Sequence, residues 1–129
     1  MKIVLDTNVI VSALLTPSGL SAKILNLILS KTITIAYDNS IMAEYINVLY
    51  RKELKINKEA IKLIIDFITK DGEYINAEHL NRKFIDETDK KFYEVYKSAK
   101  AQYLITGNLK HYPNEKDIVT PRRFLEQYK

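Results

Sequence analysis

Apolar and polar positions along this chain follow two rhythms, one suited to short strands and one to amphipathic helices. Ile3-Val4-Leu5 is apolar on both faces, which predicts a buried parallel strand ending at Asp6. Asn8 to Leu15 is mostly apolar with Ser12 inside it, and Thr16-Pro17-Ser18-Gly19 stops it. Leu20, Ile24, Leu27 and Ile28 recur at helical spacing, so residues 19–30 are expected to form an amphipathic helix. Thr32 to Tyr37 predicts a second strand. Asp38-Asn39-Ser40 caps a helix running to about Tyr50.

Arg51 to Asn57 is polar and basic and reads as a turn region. Asn57 caps a helix with Ile61, Ile64, Ile65 and Ile68 on one stripe and Gly72 just past its end. Residues 73–85 are irregular, with a short strand near Tyr74-Ile75. Asp86 to Thr88 opens another helix, whose buried face is Phe92, Val95, Tyr96 and Ala99. Gln102 to Thr106 predicts a third clear strand closed by Gly107, and Asp117 to Val119 a short fourth one. Thr120 suits the N-cap and Pro121 the first turn of a last helix. Strands separated by helices argue for an α/β fold with a parallel sheet covered on both faces.

Composition narrows the class. With 129 residues and no evident linker, one domain spanning 1–129 is expected. No Cys is present, so the fold needs neither disulfides nor a zinc-thiolate site, and a reducing cytoplasm is the simplest home. The first strand reaches an acid too soon for a signal peptide, and no apolar run approaches the roughly 20 residues of a membrane span. Lys and Arg number 20 against 16 Asp and Glu, a net charge of +4 that mildly favours a polyanionic partner.

The acids fall where such folds place ligands, at the carboxyl ends of strands. Asp6 ends the first strand, Glu44 lies one turn into the helix after the second, and Asp86 and Asp89 open the helix before the third. Thr106, Gly107 and Asn108 close that third strand. Each acid alone reads as a helix cap or a solvated residue. Together at one edge they repel unless a cation offsets them, and oxygen-only ligands suit Mg²⁺ or Mn²⁺. Such an ion is suited to phosphodiester hydrolysis.

These segments resemble the motifs of PIN domains. Ile3-Val4-Leu5-Asp6-Thr7-Asn8-Val9 resembles the opening block, Ser40 with Glu44 the second, and Asp86-Glu87-Thr88-Asp89-Lys90-Lys91-Phe92 the third. Ala101 to Asn108 resembles the fourth, and Thr120-Pro121-Arg122-Arg123-Phe124-Leu125 a common ending. The blocks span almost the whole chain in the family's order, and the nearest group is the stand-alone prokaryotic PIN toxins of toxin–antitoxin pairs. The resemblance implies a three-layer α/β/α sandwich with a central parallel sheet. It also implies Mg²⁺- or Mn²⁺-dependent cleavage of single-stranded RNA, leaving 5′-phosphate and 3′-hydroxyl ends. It makes Asp6, Glu44 and Asp89 the metal-binding acids and Thr106 the residue that orients Asp6, with Asn8 as a further hydrogen-bond partner.

Two positions depart from the family pattern. The fourth block usually ends in Asp where this chain has the neutral Asn108, which weakens a second metal site more than the first. The third block often has Pro after its first Asp, whereas Glu87-Thr88 intervene here; Asp89 is favoured over Asp86, which becomes a supporting or capping acid. Lys90, Lys91, Lys97, Lys100, Lys110, His111, Arg122 and Arg123 are candidate phosphate contacts, each competing with a plain solvated face. His111 reads as a structural residue or phosphate contact rather than a general acid. In related toxins, helices near the 58–71 stripe build a homodimer and an antitoxin groove; ordinary core packing is the competing reading. Two other functions compete with the ribonuclease: a catalytically weak PIN domain binding RNA or a protein, motivated by Asn108, and a phosphatase of another α/β fold. Asn8 stands where many such phosphatases need a second Asp, which argues against the latter.

Overall fold

A computed structural model describes residues 1–128. Five strands, β1 (Lys2–Leu5), β2 (Thr34–Tyr37), β3 (Glu73–Tyr74), β4 (Tyr103–Ile105) and β5 (Ile118–Val119), form one sheet in the order β3-β2-β1-β4-β5. Every neighbouring pair is parallel. Six helices flank the sheet: α1 (Thr7–Leu15), α2 (Leu20–Leu29), α3 (Asn39–Leu49), α4 (Lys58–Asp71), α5 (Lys90–Ser98) and α6 (Pro121–Gln127). The result is the expected three-layer α/β/α sandwich. Parallel pairing with helices on the faces explains why β1 carries no alternation: Ile3, Val4 and Leu5 are all buried.

β1 is the centre of the sheet, with Ile3 opposite both Ile35 and Tyr103 and Leu5 opposite Ile105. α5 packs on β1, β2 and β4 through Phe92 and Val95, both fully buried. α6 packs on β4 and β5, with α2 beside it and α1 against α2. Among the described residues no single helix is long and apolar enough to cross a membrane.

Several element ends differ from the sequence reading, each for a local reason. Residues 32 and 33 do not pair in β2, because their amides both donate to the Leu27 carbonyl and so close α2. The turn region 51–57 holds a short 3-10 turn, Lys52–Leu54. Asp86 caps another 3-10 turn, Glu87–Asp89, and α5 begins only at Lys90. The expected helix caps form at Asn57, whose side chain accepts from the Ala60 amide, and at Thr120, which accepts from Arg123. Gly72 ends α4 with an ordinary negative φ. Space is the reason for glycine there: a Cβ would lie 2.5 Å from the Ile68 carbonyl oxygen and 3.0 Å from that of Ile35.

The α4 stripe divides. Ile61, Ile64 and Ile68 are core and Ile65 is half-buried, while Leu63, outside the stripe, is 70% exposed. An apolar groove of about 600 Å³ opens between α4 and the α1–α2 pair, lined by Leu14, Leu25, Leu29, Leu63 and Phe67.

Candidate active site

The centre of the sheet places Asp6. Its amide donates to the Ile105 carbonyl at 3.0 Å, so the β1–β4 ladder holds the residue just past the last paired position. Its side chain does not cap α1, although Asp6 is the N-cap residue. Instead Oδ2 accepts from the Thr106 hydroxyl at 2.8 Å and from the Tyr112 hydroxyl at 2.9 Å. All three residues are buried, so these bonds form at low effective dielectric and fix the rotamer. The Asn108 amide donates to Thr106 Oγ1 at 3.0 Å, which orients that hydroxyl toward Asp6. Burial pushes the Asp6 carboxyl above the usual range and the charge of Glu44 adds to this, while the Thr106 and Tyr112 bonds pull it down. Asn8 Oδ1 accepts from the Gly107 amide at 3.0 Å and so ties the start of α1 to the loop after β4.

Glu44 arrives on α3. Asp38 caps that helix, accepting at 2.8 Å from the Ile41 amide and at 2.8 Å from the Ser40 hydroxyl. Ser40 therefore serves the helix start and does not line the cleft with Glu44. Glu44 Oε2 accepts from the Thr7 hydroxyl, and Oε1 pairs with the Lys91 ammonium at 2.8 Å. Each carboxylate oxygen has a second lone pair, so neither contact exhausts Glu44 as a ligand.

Asp89 ends the 3-10 turn before α5, and its Oδ2 lies 2.9 Å from His111 Nδ1. Burial, and then the charge of Asp6, hold its carboxyl above the usual value. Asp86 behaves differently. Its Oδ1 accepts from the Thr88 hydroxyl at 2.6 Å and the Thr88 amide at 3.0 Å, bonds that hold this exposed carboxyl below the usual range. Among the described residues, Asp86, Asp89 and His111 are the only group of potential metal ligands whose donor atoms all lie within 4.8 Å of one another. Asp6 and Glu44 do not close to that spacing with Asp89.

Asp6, Asn8, Glu44, Asp89 and Asn108 nonetheless line one open cleft of about 530 Å³. Its other walls mix the aliphatic Val11, Leu15, Val48 and Leu54 with Thr7, Ser12, Thr16 and Arg51. Lys110 is exposed on the 3-10 turn Leu109–His111 and lies outside this lining. Arg122 lines an adjoining cleft. Sequence reasoning missed Tyr112, Thr7 and Arg51. No spacing or charge pattern marks them: the partners of Tyr112 and Thr7 lie in distant segments, and Arg51 comes to the cleft only through the packing of α3. Lys91, read as a phosphate contact, is engaged with Glu44.

A parallel sheet in this strand order with a carboxylate-lined cleft at its carboxyl edge defines the class. The chain belongs to the PIN-domain family, whose sequence profile matches residues 2–110. It is similar to an uncharacterized protein of Methanocaldococcus jannaschii, 31% identical over 144 residues, covering 99% of this chain and 92% of that one. Among solved structures it is similar to VapBC2 from Rickettsia felis bound to a DNA fragment from their promoter. That likeness has a TM-score of 0.61 at 22% identity, covers 93% of this chain and 97% of the other, and concerns the fold.

Proposed function

We propose that this chain, as one PIN domain over 1–129, is a divalent-metal-dependent endoribonuclease and the toxin of a toxin–antitoxin pair acting in the cytoplasm. The observation that carries this reading is the buried Asp6 carboxylate, clamped on Oδ2 by Thr106 and Tyr112 and sharing a cleft with Glu44 and Asp89. The fit to a hard cation rests on chemistry of the donor set: oxygen ligands only, with burial first and neighbouring charge after it raising the proton affinity of Asp6 and Asp89. Asp6, Glu44 and Asp89 would hold Mg²⁺ or Mn²⁺, which when bound would lower the pKa of a water and offset charge at the phosphate. Thr106 and Tyr112 keep Asp6 in one orientation, His111 does so for Asp89, and Thr7 with Lys91 does so for Glu44. Hydrolysis breaks the P–O3′ bond and leaves 5′-phosphate and 3′-hydroxyl ends, the water oxygen going to phosphorus and a proton to the 3′-oxygen.

A second reading is a catalytically weak PIN domain that binds RNA or a protein. Asn108 and the Lys91–Glu44 pair favour it, since one removes a carboxylate and the other supplies a positive charge without a metal. Cleavage of an oligoribonucleotide with Mn²⁺ by wild type and Asp6→Asn decides between them. The nuclease reading expects products from wild type alone; equal background from both sinks it. The toxin reading adds a homodimer and an antitoxin, for which the apolar groove between α4 and the α1–α2 pair offers a surface. Growth arrest on expression, relieved by the neighbouring reading frame, tests that part.

A further inference from the structure

We infer that a single strand of RNA crosses the molecule along a track from Arg51, over the acids, to Arg122. This rests on the nuclease reading and adds the path of the substrate through the same site.

Two clefts lie side by side. The first, of about 530 Å³, holds the acids and has Arg51 in its wall; the second, of about 490 Å³, has Arg122 in its wall. Ser12 and Thr16 line both clefts, so they form one continuous depression. Across from them Gly107 lines the second cleft and Asn108 the first, and these two are consecutive in the chain. The cleft that holds the acids and Arg51 therefore opens, past Ser12 and Thr16, into the one that holds Arg122.

The state of the cations supports the same path. The cations in the walls of the two clefts are Arg51 and Arg122. Arg51 and Arg122 are exposed and take part in no ion pair or side-chain hydrogen bond among the described residues. A guanidinium with no internal partner beside an acid cluster is suited to hold the phosphates flanking the one being cut. Without such cations the acids would repel the approaching backbone.

The Arg51 half presents Val11, Leu15, Val48 and Leu54, an apolar surface fit for the face of an unpaired base. The Arg122 half mixes the apolar Leu20 and Pro121 with Ser21 and Thr120, and Ser12 lies where the two halves meet. Paired and stacked bases in a duplex have no free face for the apolar wall, so the track selects a single strand.

The test is anisotropy of a short fluorescent oligoribonucleotide of mixed sequence, titrated with the full chain in Ca²⁺ over a range of salt. Arg51→Ala and Arg122→Ala should each weaken binding roughly tenfold at low salt, as expected for loss of a hydrogen bond between charged groups. Each should also flatten the slope of log K against log salt by about 0.7, the loss of one phosphate contact on a single strand. Lys116→Ala, at the opposite end of the sheet, should change neither, and thermal melts should show all three variants folded. In a cleavage assay the two arginine variants should raise KM more than they lower kcat. Wild-type affinity and salt slope in both arginine variants, no binding by wild type, or equal binding of a duplex would each overturn the track. If wild type binds as described but cuts no more than Asp6→Asn, the nuclease reading fails and the track stands. If RNA is cut but the arginine variants bind normally, the reverse holds.

Discussion

The two ends of the parallel sheet treat charge in opposite ways. At the amino end Lys2 reaches the Ala99 carbonyl at 2.8 Å and the Glu73 carboxylate at 2.6 Å, while its amide donates to Gln102 at 2.6 Å. Glu73 Oε2 accepts no aligned hydrogen bond and is met by the Lys2 charge alone. One cation thus faces one anion, and the contact joins β1 to β3 across β2. At the carboxyl end Asp6, Glu44 and Asp89 share a cleft, with Lys91 paired to Glu44 and His111 to Asp89. Charge pairs off one to one between Lys2 and Glu73, whereas the three carboxylates of the cleft outnumber Lys91 and Arg51 beside them.

The widest separation between the two ends should come from single neutralisations. Asp6→Asn is expected to lower RNA cleavage in Mn²⁺ by more than about a hundredfold, because loss of a ligand exceeds the 10–100-fold cost of losing an outer partner. Glu73→Gln should leave cleavage at the wild-type rate, measured in the same assay. Next in size is metal-linked stability. Mn²⁺ at about 100 times its Kd should stabilise wild type by roughly 2.7 kcal/mol, read as a rise in Tm, and this gain should vanish in Asp6→Asn.

Tyr112→Phe removes one of two bonds to Asp6 Oδ2 while keeping the buried ring. Roughly tenfold weaker Mn²⁺ binding is expected, measured by titration calorimetry, with the melting curve little changed. Unaltered affinity would show that Thr106 alone suffices to orient the carboxylate.

A smaller effect concerns pH in chelator. The Asp6 and Asp89 carboxyls are raised in the folded chain. Between the ordinary carboxylate value and their raised one the folded state holds more protons than the unfolded state, so their contribution to stability falls as pH rises through that window. Wild type should therefore lose more Tm than Asp6→Asn over that interval; equal slopes would count against the buried, repelling acid. The smallest change belongs to the amino end. Lys2→Met should cost no more than about 1 kcal/mol in a denaturant melt, since the pair is partly exposed.

Much of the architecture was legible in particular residues. The two-sided apolar run Ile3-Val4-Leu5 marked the central strand, because only a strand covered on both faces can be apolar at every position. Asn57, Thr120 and Pro121 marked helix starts through local hydrogen bonding and fixed φ, which need no distant partner. The limits of β2 were less legible, since the Leu27 carbonyl that captures residues 32 and 33 belongs to another element. In the candidate site, Asp6 stood out through its position after the strand. Ser40 was read with Glu44 but bonds to Asp38, a choice between two nearby acids that spacing does not decide.

By itself the sequence determined the order of strands and helices, the acids near strand ends and the family to which they belong, all properties of local pattern. Tertiary structure decided which groups meet. Tyr112 reaches Asp6 across 106 positions, Thr106 across 100, and Thr7 reaches Glu44 across 37. It also paired Lys91 with Glu44 and placed Arg51 in the acids' cleft and Arg122 in the adjoining one. The physical reason is that a hydrogen bond or ion pair depends on distance and direction in space. Packing of α5 and α6 on a common sheet sets these, and no periodicity along the chain records them.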